Sequence, residues 1–201
     1  MVLIRDICVY CGSSPGSDPR FGEAADRLGA AMAAAGVGLV FGGGEDGLMG
    51  RTARAVLAHG GRVTGIIPTF LVKREHALTS AQELIVVPDM HQRKQLMFER
   101  ADAFIALPGG IGTLEELVEQ LTWVQLGRHR KPVLIADIGG FWRPLLGLLA
   151  HMNTLGFIRD SAEVRYLVAE KIEDALPMIE RAARRGLSPT TLDPGAPAGF
   201  P

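Results

Sequence analysis

Along the chain, short runs of apolar, β-branched residues alternate with longer stretches whose apolar positions recur at helical spacing. "IRDICVYCG" (4–12) reads as a first strand and "PRFGEAADRLGAAMAAAG" (19–36) as an alanine-rich helix closed by Gly36 at its C-terminal cap. "VGLVFGGG" (37–44) is a second strand running into glycines, and "LMGRTARAVLAHGG" (48–61) the helix after it. The strands "RVTGIIP" (62–68) and "ELIVVPD" (83–89) follow. Between them, the polar connection Thr69 to Gln82 is long for its kind and reads as a short irregular helix or a lid over a site. Next come the helix "MHQRKQLMFERA" (90–101), the strand "DAFIALPGG" (102–110), the helix "TLEELVEQLTWVQLG" (113–127) and the strand "KPVLIAD" (131–137). A helix near "FWRPLLGLLAHMNTLG" (141–156), a short strand "RYLVA" (165–169) and the helix "IEDALPMIERAARRG" (172–186) complete the pattern.

Strands that are apolar throughout, each followed by a helix, imply a mostly parallel sheet with helices on both faces: a Rossmann-like, doubly wound α/β fold. A single domain over 1–186 is expected, followed by a tail rich in Pro, Gly and Ala (187–201) that is expected to be disordered. Ligands of such sheets bind beyond the carboxyl ends of the strands, where "CGSSPG", "GGGEDGLMG" and "PGGIGT" all emerge.

Composition narrows the function classes. At 201 residues, 47% hydrophobic and 21% charged, the chain can bury one core, and it has no run of eighteen apolar residues to cross a bilayer. A net charge of −1 gives no basic footprint for a nucleic acid, whereas 17 Arg against 4 Lys favour bidentate binding of phosphate or carboxylate by single guanidinium groups. The N-terminus lacks the pattern of a secretory signal, so a cytoplasmic location is expected. Cys8 and Cys11 are spaced as C-x-x-C, but an odd separation within a strand points their side chains to opposite faces. No second pair or His cluster completes a zinc site, so both read as reduced structural thiols.

The chemistry lies in the glycine loops. In "LPGGIGTLEE" (107–116), Gly109, Gly110 and Gly112 permit positive φ and close backbone approach. Thr113 can cap the helix that follows, which makes a nest of N–H groups suited to a phosphate. Glu115 and Glu116 then fall in the first turn of that helix, where carboxylates would repel the anion. "GGGEDG" (42–47) is neither a dinucleotide fingerprint, lacking a well-placed acid about twenty residues on, nor a P-loop, lacking the Lys-Ser/Thr pair. A mononucleotide held between two or three glycine loops fits better. Arg93 and Lys94, near the start of the helix preceding the PGG strand, lie near the same rim.

Taken in order, "VYCGSSPG", "GGGEDGLMG", "MHQRK" and "LPGGIGTLEE" with "TWVQLG" resemble the Lonely Guy (LOG) family of cytokinin-activating phosphoribohydrolases, whose hallmark is PGGxGTxxE. The resemblance runs from about Ile4 to Arg185. It implies hydrolysis of the N-glycosidic bond of a nucleoside 5′-monophosphate, releasing an adenine-type base and ribose 5-phosphate. It implies that Arg93 and Glu116 are catalytic. Glu115 and Lys94 would accompany them at the nucleotide, Gly109, Gly110, Gly112 and Thr113 would hold the phosphate, and Ser14 would line the same pocket. Arg74 and Glu75 match the family's RE element, while Glu45 and Asp46 put two acids where other members carry small or neutral residues. A homodimer or larger homo-oligomer is implied, and no cofactor or metal is called for. Many members have been labelled lysine decarboxylases, an activity that needs pyridoxal phosphate, a Schiff-base lysine and a much larger architecture. A broader purine nucleotide nucleosidase and a non-catalytic nucleotide or cofactor carrier are the alternatives.

Overall fold

β1 (Asp6–Tyr10) is buried over most of its length because it sits in the middle of a sheet covered on both faces. The computed structural model describes residues 4–73, 76–158 and 165–185. Beside β1 lie β2 (Gly38–Phe41), β3 (Val63–Pro68) and β4 (Glu83–Val87) on one side. On the other lie β5 (Ala103–Ala106), β6 (Val133–Ala136) and β7 (Leu167–Ala169), giving the order β4-β3-β2-β1-β5-β6-β7. All six pairings are parallel. The expected α/β architecture is therefore the one found.

Alternate strand residues serve opposite layers. Ile7 and Val9 pack with Leu28 and Met32 of α1 (Pro19–Ala34), Val56 of α2 (Gly47–Ala58) and Ile179 of α6 (Ala175–Arg185). Cys8 and Tyr10 pack on the other face with Met97 of α3 (Met90–Arg100), Leu117 and Leu121 of α4 (Ile111–Gln125), and Leu145 and Leu149 of α5 (Arg143–Thr154). Phe41 and Phe104, both fully buried, each contribute about 2–3 kcal/mol of transfer free energy. Cys8 and Cys11 fall in different layers as free, buried thiols, in keeping with their odd spacing.

Local signals set the helix ends near the site. Asp18 caps α1 by accepting from the Arg20 amide, and Gly36 (φ +70°) ends it by donating to Ala33 O. Asp89, after Pro88, caps α3 through the Gln92 amide at 2.9 Å and so fixes where Arg93 leaves the helix. The connection after β3 begins with a single 3₁₀ turn (Thr69–Leu71), then docks back through an isolated antiparallel bridge between Gly44 and Ala77. Arg74 and Glu75, and the tail from Leu187, lie outside the described residues.

The chain runs outward from β1 through β2 to β4, then crosses back to β5 on the other side of β1. A crevice opens at that switch point. The loops meet there: the Gly12 amide donates to Pro108 O (3.1 Å), and the Leu48 and Met49 amides in the first turn of α2 donate to Gly12 O.

Candidate functional site

A cavity of about 320 Å³ opens at the crevice, lined by Cys11, Gly12 and Ser13 from the first loop, Met49 from α2 and Leu71 from the 3₁₀ turn. Met90 and Arg93 of α3 and the stretch from Gly110 to Thr113, with Glu115 and Glu116 of α4, complete it. Six of the nine expected site residues thus share one space: Arg93, Gly110, Gly112, Thr113, Glu115 and Glu116.

The cradle differs in detail from the expectation. Gly110, not Thr113, is the N-cap of α4, and no described side chain caps the helix. The amides of its first turn are therefore donors without a side-chain cap at the positive end of a helix dipole. Thr113 sits within that first turn, 4% exposed, packed beneath Gly109. None of Gly109, Gly110 and Gly112 takes a left-handed conformation. A Cβ on Gly109 would collide with the Thr113 side chain and lie 2.8 Å from the Gly12 amide nitrogen, so the fold itself requires glycine there. At Gly110 and Gly112 a Cβ would meet nothing within 4 Å. Their lack of a side chain leaves space on the cavity side and satisfies no packing demand. Because α4 starts at Ile111, Glu115 and Glu116 fall in its second turn, beyond the uncapped amides.

Arg93 is 5% exposed. Its Nε donates to Ile66 O (3.2 Å) within β3 and its Nη2 to Gly42 O (3.0 Å) just past β2. The guanidinium is thus pinned by two backbone carbonyls from β3 and the loop after β2 at the cavity wall, a planar fork that lysine could not reproduce. Half-buried Glu116 lies against the end of β1. Burial pushes the Cys8 and Cys11 thiols and the Tyr10 phenol up from their ordinary values, and the negative charge of Glu116 adds to each shift. That charge acts in a poorly solvated corner, where fields are strong.

Lys94 does not line the cavity. Its Nζ reaches across from α3 to α4 and donates to Glu115 (2.6 Å) and to Glu119 (3.0 Å). Burial pulls its pKa down, but the hydrogen bonds and charges of the two carboxylates outweigh this and leave it raised. Ser14 and Gly109 line the adjoining cavity with Phe21 and Phe141, and it is Ser13 that faces Arg93 and Glu116. Glu119 was missed in the sequence, although its i, i+4 spacing from Glu115 is a signal for a shared partner. Leu71 lies outside the motifs, and Met49 and Met90 lie within "GGGEDGLMG" and "MHQRK" with nothing in the sequence to mark them as neighbours, because the three meet only through the sheet order.

Glu45 and Asp46 face the long connection. Asp46 holds the N-cap position of α2 yet turns its carboxylate to His76 Nδ1 (2.8 Å), while Arg54 donates to Glu45 O at 3.0 Å.

A family model described as "Possible lysine decarboxylase" matches residues 49–179. The chain is 45% identical over 176 residues to a cytokinin riboside 5′-monophosphate phosphoribohydrolase of Rhodococcoides fascians, covering 87% of this chain and 89% of that one. It is 42% identical over 203 residues to an enzyme of the same name from Arabidopsis thaliana, covering 92% and 94%. Among solved structures, the molybdenum cofactor binding protein of Rippkaea orientalis superposes with a TM-score of 0.67 at 22% identity, over 90% of this chain and 98% of that one. The Moco carrier protein of Chlamydomonas reinhardtii gives 0.67 at 17%, over 91% and 99%. At such identities the structural likeness speaks for the fold alone.

Proposed function

The chain belongs to the Lonely Guy (LOG) family of cytokinin-activating phosphoribohydrolases, and on that premise we propose that it hydrolyses the N-glycosidic bond of cytokinin riboside 5′-monophosphates. Water adds to C1′ of the ribose, the C1′–N9 bond breaks with its electron pair leaving on the base, and the base takes up a proton. The products are an adenine-type base and ribose 5-phosphate. The observation that carries this reading is the joining, in one cavity, of an uncapped helix start and a carboxylate pair one turn further in. The uncapped amides at the start of α4 suit the 5′-phosphate. Glu116, in its poorly solvated corner, stabilises the positive charge that builds on the ribose or activates the attacking water. Arg93 supplies a fixed cation at the wall.

The repulsion between anion and carboxylates disappears once they address opposite ends of one ribose. Glu115 serves the sugar hydroxyls, and the apolar rim of Met49, Leu71 and Met90 offers room for a prenylated base. Incubation with isopentenyladenosine 5′-monophosphate and with AMP tests this preference. Faster release of base from the prenylated nucleotide is expected, and equal rates would favour a broad purine nucleotide nucleosidase instead.

Decarboxylation of lysine finds no support in Lys94. A Schiff-base amine needs a depressed pKa, and Lys94 is raised by two carboxylates.

The working unit is a homodimer. Ile111 (82% exposed) and Val118 of α4 with Leu148 and Met152 of α5 offer an apolar face, and a groove of about 460 Å³ runs between the two helices. Ile111 and Gly110 line both this groove and the catalytic cavity, so a second copy seated here would adjoin the site. Among the described residues, no helix is long and apolar enough to cross a membrane.

A further inference from the structure

Glu119 stands just behind the proposed site and has no part in the mechanism above. Its side chain is 23% exposed, and its Oε2 is buried without a hydrogen-bond donor among the described residues. A carboxylate held in this way is costly, and an apolar residue of similar size would serve packing better. Its one ion-pair partner among the described residues is Lys94, whose other hydrogen bond goes to Glu115. Glu115 lines the cavity, whereas Lys94 and Glu119 do not. The three form a relay of fixed order, Glu119 to Lys94 to Glu115, spanning from a buried anchor to the cavity wall. Alone, Glu115 is half exposed and free to sample many rotamers, and Lys94 is a flexible stem that orders nothing unless its far side is held.

We propose that Glu119 is a positioning residue: by anchoring Lys94 it fixes the carboxylate of Glu115 against the sugar hydroxyls of the bound nucleotide. This rests on the phosphoribohydrolase reading and deepens it, because it assigns recognition of the ribose to a chain of three residues of which only the last touches substrate.

The readout is sugar discrimination, the ratio of kcat/KM for isopentenyladenosine 5′-monophosphate to that for its 2′-deoxy counterpart. A ratio of rates is independent of how much of a variant is folded. The wild-type protein is expected to favour the ribonucleotide, and Glu119→Gln to shrink the ratio about tenfold, as loss of one charged hydrogen bond would. Glu115→Gln should shrink it to the same extent. In a Lys94→Met background, Glu119→Gln should change nothing further. The assignment is overturned by a wild-type enzyme that takes both sugars equally, by an unmoved ratio in Glu119→Gln, or by a further drop in the Lys94→Met background. If the wild-type protein releases base from neither nucleotide, the functional reading fails and takes this assignment with it. An active enzyme with an unmoved ratio defeats the assignment alone.

Discussion

Glu116 and Gly112 lie on the same helix one turn apart, and the account gives them opposite tasks that substitution can separate. Glu116→Gln keeps the shape of the side chain and removes its charge. Turnover should fall by about 10²–10⁴, with nucleotide affinity by titration calorimetry little changed. Gly112→Ala should raise stability by about 0.5–1 kcal/mol, since alanine favours a helix and the added Cβ meets no protein atom, while KM for the nucleotide rises. A thermal melt and a KM moving in opposite directions would mark a glycine kept for the ligand; a variant with unchanged KM would contradict the phosphate cradle. At this scale the sequence was readable where a role is carried by local order, as in the PGG turn and the two acids after it. Lys94 could be seen beside Arg93, but its partners could not, because they come from another helix across the crevice. Ser13 and Ser14 both line the adjoining cavity, but only Ser13 also reaches the one that holds Arg93 and Glu116, a distinction set by loop geometry that no motif encodes.

Among the elements, the connection after β3 shows what an acidic glycine loop can do. The Glu45 amide donates to His76 O and the Leu78 amide to Gly43 O, so this connection and the second glycine loop are stitched together beside the cavity that Leu71 lines. The hydrogen bond and charge of Asp46 raise the pKa of His76, against a small opposing cost of desolvation. A raised histidine stabilises what it holds below its ordinary value of about 6.5 and loses that effect as pH rises through the raised value. Amide exchange should therefore find Glu45 and Leu78 better protected at pH 6 than at pH 8.5. Asp46→Asn should show low and equal protection at both, and a wild-type profile flat with pH would contradict the latch. The unusual length of Thr69 to Gln82 was plain from the sequence. Its docking on the acidic loop was not, since that depends on β2 and β3 being neighbours.

For the whole molecule, periodicity was enough to give a parallel sheet covered on both faces, because each apolar strand is followed by a helix. The order β4-β3-β2-β1-β5-β6-β7, which puts the first loop against the PGG loop, is a tertiary fact. So is the exposed apolar face of α4 and α5, since the same residues could have filled a monomer's core. Light scattering should give twice the chain mass, and Val118→Asp with Leu148→Asp should yield monomers with slower base release. A wild-type monomer with full activity would contradict the dimer. The central claim is that this chain is a hydrolase which cuts a nucleotide between base and sugar. Its most direct test is to incubate purified protein with isopentenyladenosine 5′-monophosphate and quantify both halves by chromatography. Equal amounts of free isopentenyladenine and ribose 5-phosphate should accumulate over many turnovers, and Glu116→Gln should release almost none. Recovery of the nucleotide intact, bound or unbound, would contradict the account.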